Sequence, residues 1–455
     1  MQSGTNIKNI MTFIRRFKNT ITGIMGLLMY TGCMAALFLL LGVENPQILG
    51  LSRTSIMMAA AFALAGLLLV RTYGGYNVGV RKPKVIITSL SIALALTDIL
   101  TYLVLIIMNT NDENGRRIEF LSVGFLILAL VVQIVLITAF TYAGTAFYFA
   151  VNPAEKTLII TGEAGEQERI RQAIALFHRR YMILGTAAAD DEGLEDKIRE
   201  AGSVFFYDVP RIRLHELTAV CYRYKISVYI NPDIEDILLH SGREQFFSDL
   251  PFYHSEAYRM TFEQRVIKRL GDILIPIIGL ILTSPLLLAA AIAIKKEDGG
   301  KVFFRQERAT IGGRVFSIIK FRTMRENADD TSVTKDDDRI TRTGKWLRRY
   351  RIDELPQLIN VLLGDMSLVG PRPEMMKNVE EYTADLPEFR YRLRMKAGLT
   401  GYAQVMGKYN TTSRDKLILD LMYIENFSIA NDIRIILQTV TVFFKAEEST
   451  EAFDE

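Results

Sequence analysis

Residues 273–294 read ILIPIIGLILTSPLLLAAAIAI, an apolar run of 22 residues, long enough to span a bilayer as one helix. Its flanks argue for something else. Lys268 and Arg269 precede the run, and Lys295 and Lys296 follow it; basic flanks favour the cytoplasmic side, here at both ends. Pro276 and the pair Ser284-Pro285 stand inside it. Proline lacks the amide hydrogen and clashes with the preceding turn, so Pro285 breaks or kinks the helix near its middle. The run therefore reads as a re-entrant hairpin. Ser284 can rebond a carbonyl freed by Pro285, which makes such a break tolerable at membrane depth. The alternative is a straight fifth span, which would place residues 301–455 outside the cell.

Working back toward the N-terminus, four more apolar runs appear: Ile21 to Val43, Ser55 to Val70, Val85 to Met108 and Phe120 to Val151. The second is short for a span, and its neighbours Ser52 and Thr54 must extend it. No small-residue cleavage site follows the first run, so it reads as an anchor. Lys8, Arg15, Arg16 and Lys18 precede the first run, and Arg71, Arg81, Lys82 and Lys84 follow the second without an acid. The other two loops mix charges: Glu44 with Arg53, and Asp112, Glu113 and Glu119 with Arg116 and Arg117. Basic loops mark the inside, so the N-terminus and everything after Val151 read as cytoplasmic, on a multi-pass membrane protein. Asp98 is the one Asp, Glu, Lys, Arg or His within the four runs. It reads as a carboxyl that is protonated or bonded to a polar neighbour such as Gln133, rather than as an ion relay.

Composition carries the same division. The first 151 residues hold 11 Lys/Arg and 5 Asp/Glu, and the chain as a whole holds 54 and 51. A membrane third thus precedes a soluble remainder. The net charge of +3 is no nucleic-acid footprint. Two cysteines, Cys33 and Cys221, exclude a disulfide framework. The four histidines, His178, His215, His240 and His254, all precede the last 200 residues, as do both cysteines. Chemistry in that C-terminal part is then neither a Ser-His-Asp nor a Cys-His site, nor a His-ligated zinc site. Carboxylates, Arg, Lys and a hard cation remain.

Between the two parts, short apolar strands alternate with helical stretches. Strands are expected over Leu158 to Thr161, Tyr181 to Gly185, Val204 to Val209 and Ile226 to Ile230. Helices are expected over Glu166 to Phe177, Leu194 to Ala201 and Ile212 to Tyr224. This spacing implies a parallel, doubly wound sheet. Gly162 and Gly165 follow the first strand, but the third glycine of a dinucleotide fingerprint is missing, and Asp190 and Asp191 lie only near the place of its acid. The region reads as a degenerate Rossmann-like domain without a ligand, with a regulatory or assembly role. The expected division is 1–154, a four-helix transmembrane anchor; 155–255, the Rossmann-like domain; and 256–455, the re-entrant segment with a catalytic domain.

Two C-terminal stretches carry chemistry. Val302 to Met324, VFFRQERATIGGRVFSIIKFRTM, reads as a hairpin turning at Gly312-Gly313. Lys320 and Arg322, two apart, share one face of a strand and suit a phosphate, although a solvated basic edge fits the spacing too. Leu347 to Pro373, LRRYRIDELPQLINVLLGDMSLVGPRP, contains an apolar stripe at Leu355, Leu358, Ile359, Leu362 and Leu363, a helix that Gly364 ends. Asp353 stands at its N-cap position with Glu354 and Pro356 in the first turn. Two readings stay open. Asp353 caps and Glu354 complements the dipole, or the carboxylates, with Arg348, Arg349 and Arg351 just before them, bind Mg²⁺ and a pyrophosphate.

IIKFRTM, RIDELPQLINVLLGDMSLVGPRP, KAGLTGYAQVMG and LDLMYIENFSIANDIRIIL follow the Ser-Pro-broken run in this order. Over Thr261 to about Lys445 the chain resembles the bacterial sugar transferases, monotopic polyprenyl-phosphate sugar-1-phosphate transferases. The anchor and middle domain resemble their large, hexose-1-phosphate members, which initiate capsule, exopolysaccharide and O-antigen synthesis. The resemblance implies transfer of a sugar-1-phosphate from a UDP-sugar to undecaprenyl phosphate, with release of UMP. It implies Asp353 as a nucleophile forming a covalent phosphosugar intermediate, and Glu354 as the Mg²⁺ holder. Lys320, Arg322, Arg348 and Arg372 would contact phosphates, and Ser284-Pro285 would be the re-entrant break. The chain departs from the family pattern at Gly407-Lys408-Tyr409-Asn410, where Gly-Arg-Asn is usual, and Arg414 or a neighbour replaces a tryptophan. These departures bear on sugar identity; glucose and galactose are what the resemblance suggests first. The sequence sets no oligomeric state, and a homodimer is compatible with it. Two other classes compete: an anchor carrying a dead catalytic fold, against which the Asp353-Glu354 pair argues, and a transporter, against which the scarcity of intramembrane charge argues.

Overall fold

A computed structural model of the chain describes residues 17–109, 123–162, 165, 167–240, 242–325, 339–406 and 412–443. Lys8, Arg15, Arg16, the charged loop at 112–119 and the run Gly407 to Asn410 lie outside the described residues. The protein is a mixed helical and sheet structure that divides into two compact units, Met1–Asn231 and Pro232–Glu455.

The first unit opens with four long apolar helices, α1 (Lys18–Leu41), α2 (Arg53–Thr72), α3 (Pro83–Met108) and α4 (Val123–Val151). All four are long and apolar enough to cross a membrane. Ser52 caps α2 by accepting from the Ser55 amide, and Ser55 returns the bond in a capping box, which fixes the start of the shortest of the four. α1 packs on α4, α2 on α3 and α3 on α4, and Cys33, Leu37, Leu90, Leu94 and Ile137 are buried between them. Asp98 is buried there too. Its Oδ1 accepts from Gln133 Nε2 at 3.2 Å, and the same amide donates to the Cys33 carbonyl at 3.1 Å. The bonded-neighbour reading of Asp98 therefore describes what is found.

The α/β region follows in the expected order: β1 (Glu155–Thr161), α5 (Gln167–Ala175), β2 (Tyr181–Ala188), α6 (Leu194–Glu200), β3 (Ser203–Tyr207), α7 (Arg211–Arg223) and β4 (Ser227–Ile230). The strands form one parallel sheet in the order β2-β1-β3-β4. Leu194, Ile198, Leu217 and Cys221 cover Leu158, Ile160, Val204 and Phe206 on one face. On the other face, Ile174 of α5 meets Ile159 and Tyr181. A Cβ on Gly162 would fall 2.0 Å from the Asp208 carbonyl oxygen. This glycine is thus required by the close approach of two loops, a reason that needs no phosphate.

The second unit begins with α8 (Ile234–His240) and the antiparallel pair β5 (Arg243–Phe247) and β6 (Leu250–His254). Ile234 and Ile237 join the buried core of this unit with Leu417 and Leu421. The long apolar helix α9 covers Phe262–Asp298, 37 residues with Pro276 and Pro285 inside it. Helix continues through Ser284-Pro285, so any bend there is carried within one element and no loop separates two halves. Ser284 Oγ donates to the Ile281 carbonyl at 2.8 Å, the carbonyl that the missing Pro285 amide would have bonded. The hairpin β7 (Phe303–Ala309) and β8 (Val315–Phe321) turns through Gly312 and Gly313, both at positive φ. Then come α10 (Arg342–Arg349), a single tight turn over Ile352–Glu354, α11 (Gln357–Leu363) and β9 (Ser367–Val369). α12 (Met376–Asp385), β10 (Gly398–Thr400), α13 (Tyr402–Met406), α14 (Ser413–Glu425) and α15 (Ile429–Phe443) complete the unit, with β10 parallel to β9.

The stripe expected for α11 is corrected. Ile359 and Leu363 are exposed, and the buried face is Gln357, Leu358, Asn360 and Val361. Asn360 is inside because it stitches α11 to β8: its Nδ2 donates to the Ser317 carbonyl at 2.9 Å, and its Oδ1 accepts from the Ile319 amide at 2.9 Å. Periodicity of apolar residues does not reveal a buried polar residue that pairs with a strand backbone.

Candidate active site

The site grows from three pieces of the second unit. β8 ends one residue beyond Lys320; the turn Ile352–Glu354 carries the two carboxylates; the segment after β9 carries Arg372. Asn360 joins the first two pieces. Ala290 and Ile294 of α9, Phe321, Leu347 of α10 and Ile352 form one small buried cluster, which seats the turn between helix and hairpin.

Asp353 is not a helix cap. It lies in the tight turn before α11, whose N-cap position is Pro356, and neither element has a side-chain cap bond. The residue that enters the turn, Arg351, is held at φ +52°, a left-handed conformation that costs a non-glycine residue roughly 1–2 kcal/mol. The other end of α11 follows expectation: Gly364, at φ +87°, receives the chain as it leaves the helix.

The two carboxylates differ sharply. Glu354 Oε1 accepts from Lys320 Nζ at 3.2 Å and from Arg372 at 3.1 Å. Burial works against its charge, but Lys320, Arg372 and Arg351 outweigh that and hold it well below the usual carboxylate range. Asp353 is pushed up to about 6, first by burial and then by the adjacent Glu354 charge, with Lys320 and Arg348 opposing. One carboxylate is firmly anchored among cations. Its neighbour has no such direct clamp and holds its charge at a cost.

Of the expected phosphate-binding residues, Lys320 and Arg372 are brought together on Glu354. Arg348 Nε donates to Thr323 Oγ1 at 2.8 Å and acts on Asp353 through its charge. Arg322 is placed elsewhere: its guanidinium pairs with Asp298, the last residue of α9. The strand ends at Phe321, so the alternation that put Lys320 and Arg322 on one face does not carry through. Ser284 and Pro285 sit inside α9, at the carbonyl repair described above.

Four residues around this site were not singled out from the sequence. Arg308 shares a face of the hairpin with Lys320 and lines a small cavity with Lys320, Glu354, Arg372 and Gln357. Strand register was the available signal for Arg308, and the one-turn offset from Glu354 for Gln357. Arg392 is buried; it donates to the Arg372 carbonyl at 2.8 Å and pairs with Asp420 at 2.7 Å. The Asp420 carboxyl is pushed up to about 6, chiefly by burial. No local pattern announces that pair, which joins residues 28 apart in sequence.

Among the described residues, no three His, Cys, Asp or Glu side chains cluster as a protein-only metal cage. Mg²⁺ commonly takes one or two carboxylates and completes its shell with water and phosphate oxygens. Asp353 and Glu354 are such a pair, and the raised Asp353 carboxyl is one whose charge a cation would relieve. The donor set therefore fits Mg²⁺ held jointly with a phosphorylated ligand.

Adjacent carboxylates thus stand among clustered cations, in the same unit as a helix long and apolar enough to cross a membrane. Residues 263–446 match the family described as bacterial sugar transferase. A UDP-glucose:undecaprenyl-phosphate glucose-1-phosphate transferase of Caulobacter vibrioides is 45% identical over 181 residues, which cover 38% of this chain and 68% of that protein. A UDP-N-acetylgalactosamine-undecaprenyl-phosphate N-acetylgalactosaminephosphotransferase of Aeromonas hydrophila is 44% identical over 180 residues, 38% of this chain and 43% of that one. A UDP-glucose:undecaprenyl-phosphate glucose-1-phosphate transferase of Escherichia coli strain K12 is 36% identical over 225 residues, 47% and 48% of the two chains. The chain belongs to the bacterial sugar transferase family. In the Aeromonas and Escherichia proteins the matched stretch is less than half of each chain.

Proposed function

We propose that the protein transfers a hexose-1-phosphate from a UDP-sugar to undecaprenyl phosphate and releases UMP, as the first membrane step of exopolysaccharide, capsule or O-antigen synthesis. The observation that carries this reading is the asymmetry of the carboxylate pair. Glu354 is clamped by Lys320 and Arg372, while Asp353 beside it lacks such a clamp and carries a destabilised charge.

An Asp353 carboxylate oxygen attacks the phosphorus attached to the sugar. The bond from that phosphorus to the bridging oxygen breaks, UMP leaves with the oxygen, and an aspartyl phosphosugar remains. An oxygen of the lipid phosphate then attacks the same phosphorus and returns Asp353 as a carboxylate. Neither step removes a proton, which agrees with a C-terminal part free of histidine. Lys320 and Arg372 meet the charge of the diphosphate and hold Glu354 in place. Mg²⁺ bound through Glu354 would supply further neutralisation of that charge.

The same reading makes α9 a re-entrant membrane helix, bent at Ser284-Pro285 without leaving helix, with both ends cytoplasmic. Near its start, Lys268 pairs with Asp432 at 2.5 Å, Arg269 donates to the Val361 and Leu362 carbonyls, and Asp272 accepts from the Leu368 amide at 2.8 Å. Near its end, Glu297 accepts from the Arg342 and Thr343 amides. Both ends thus bond to residues of the same C-terminal unit, which supports the reading, while Leu274, Ile278, Ile281, Leu282 and Leu288 between them are exposed. A membrane-crossing helix would carry its two ends to opposite sides. The four N-terminal helices are then transmembrane spans, and the α/β region is a cytoplasmic domain that binds no nucleotide. The test is to incubate the purified chain with UDP-sugars and undecaprenyl phosphate. UMP and a lipid-linked sugar support the reading, and their absence with every UDP-hexose tried removes it.

A further inference from the structure

Gln357 is only 3% exposed, and its Nε2 has no hydrogen-bond partner among the described residues. A buried amide left unpaired costs about 1–3 kcal/mol, and a hydrophobic residue there would avoid that cost. Gln357 lines the small cavity that also contains Arg308, Lys320, Glu354 and Arg372. Its place in the chain, three residues after Glu354 and four after Asp353, brings it to the side of α11 that meets the carboxylate turn. The cations of this cavity are committed in part: Lys320 and Arg372 to Glu354, and Arg308 to the Pro373 carbonyl and Gln306 Oε1. The Gln357 NH₂ is a neutral donor beside them that awaits an acceptor.

We infer that Gln357 is a substrate-contacting residue whose amide donates to a non-bridging oxygen of the diphosphate in the Arg308–Lys320–Arg372 cavity. This rests on the proposed function and adds to it a donor of fixed position. Charges attract the diphosphate from any direction, whereas an amide on a short helix accepts it in one orientation. The Gln357 donor would therefore fix which phosphorus faces Asp353. Its effect falls on the transferring group itself, so it belongs to turnover as well as to affinity.

The experiment uses the full chain in detergent, with inorganic pyrophosphate and Mg²⁺ as the probe. Gln357→Met keeps the length of the side chain and deletes the donor. Pyrophosphate affinity is expected to fall about ten- to a hundredfold, the range for a hydrogen bond to a charged group. Melting temperature is expected to hold or rise, because an unpaired buried amide is gone. Should Gln357→Met not fold, Gln357→Glu keeps the shape and replaces the donor by an acceptor, and it should abolish pyrophosphate binding. Unchanged pyrophosphate affinity in both variants, or no binding by wild type, overturns the inference. UMP release separates the two ideas. A wild type that releases no UMP, with the affinity loss intact, removes the transferase reading and leaves the Gln357 contact. An active wild type with Gln357→Met at the same kcat and KM removes the Gln357 contact alone.

Discussion

Replacing Asp353 by Asn should produce a protein that is inactive and more stable. The Asp353 carboxyl is pushed from 3.8 to about 6, so its ionised form is disfavoured in the folded chain by about 2–3 kcal/mol, at 1.36 kcal/mol for each unit. The sign follows from linkage. A carboxyl whose value is raised on folding costs nothing below the unfolded value. The cost grows as pH rises from about 4 to about 6 and is constant above that. Asparagine carries no charge to bury, so the variant should gain roughly 4–12 °C in melting temperature at pH 7.5, at about 2–4 °C per kcal/mol for a unit of this size. At pH 4 the gain should vanish. Trp346 on α10 is the chain's only tryptophan, so its fluorescence reports unfolding of the unit that holds the site. Activity is read by giving wild type and variant a radiolabelled UDP-sugar without lipid acceptor, then denaturing the protein. Label should stay on wild type and be absent from the variant, since an amide cannot form the adduct. A helix cap would behave otherwise, because Asn caps as well as Asp: activity and stability would both stay near normal. Normal turnover in Asp353→Asn, or a melting temperature that does not rise at neutral pH, would refute the assignment of Asp353 as a buried, strained nucleophile.

Lys320→Met should move the acid limb of the pH–rate profile above 6, because Lys320 lowers the Asp353 value. Glu354→Gln should move it below 6, because the Glu354 charge raises that value; both variants should also lose rate, and shifts in the same direction would contradict the coupling. Pro285→Ala restores an amide donor to the Ile281 carbonyl, so α9 should straighten and UMP release should weaken. Cysteines introduced near residue 300 should be blocked from an impermeant reagent in intact cells, and labelling from outside would replace the re-entrant helix by a fifth span. Arg392→Met leaves the buried Asp420 carboxylate without its partner and should cost about 3–5 kcal/mol of stability, read as early unfolding by Trp346 fluorescence.

The elements that the sequence determined by itself are those with local causes. Apolar runs mark the long helices because helix length against a bilayer is a one-dimensional property. Alternating strands and helices mark the parallel sheet from Glu155 to Ile230, and Gly312-Gly313 marks the hairpin turn, because turn and periodicity rules act over a few residues. The Asp353-Glu354 pair and Lys320 stood out for a similar reason: spacing and residue type suggested anionic ligands, and left a cap and a solvated basic edge as equally local alternatives. Tertiary structure alone decided what each charge does. Arg322 left the expected face because the strand ended one residue before it and Asp298 was near. Asn360 went inside because the β8 backbone offered two bonds, and Arg392 was joined to Asp420 and to the Arg372 carbonyl by folding of distant segments. The Asp353 and Glu354 values diverged for the same reason: burial falls on both, but only Glu354 meets two cations directly, one from β8 and one from beyond β9. A charge takes its strength from its neighbours in space, and those neighbours come from parts of the chain that no local pattern connects.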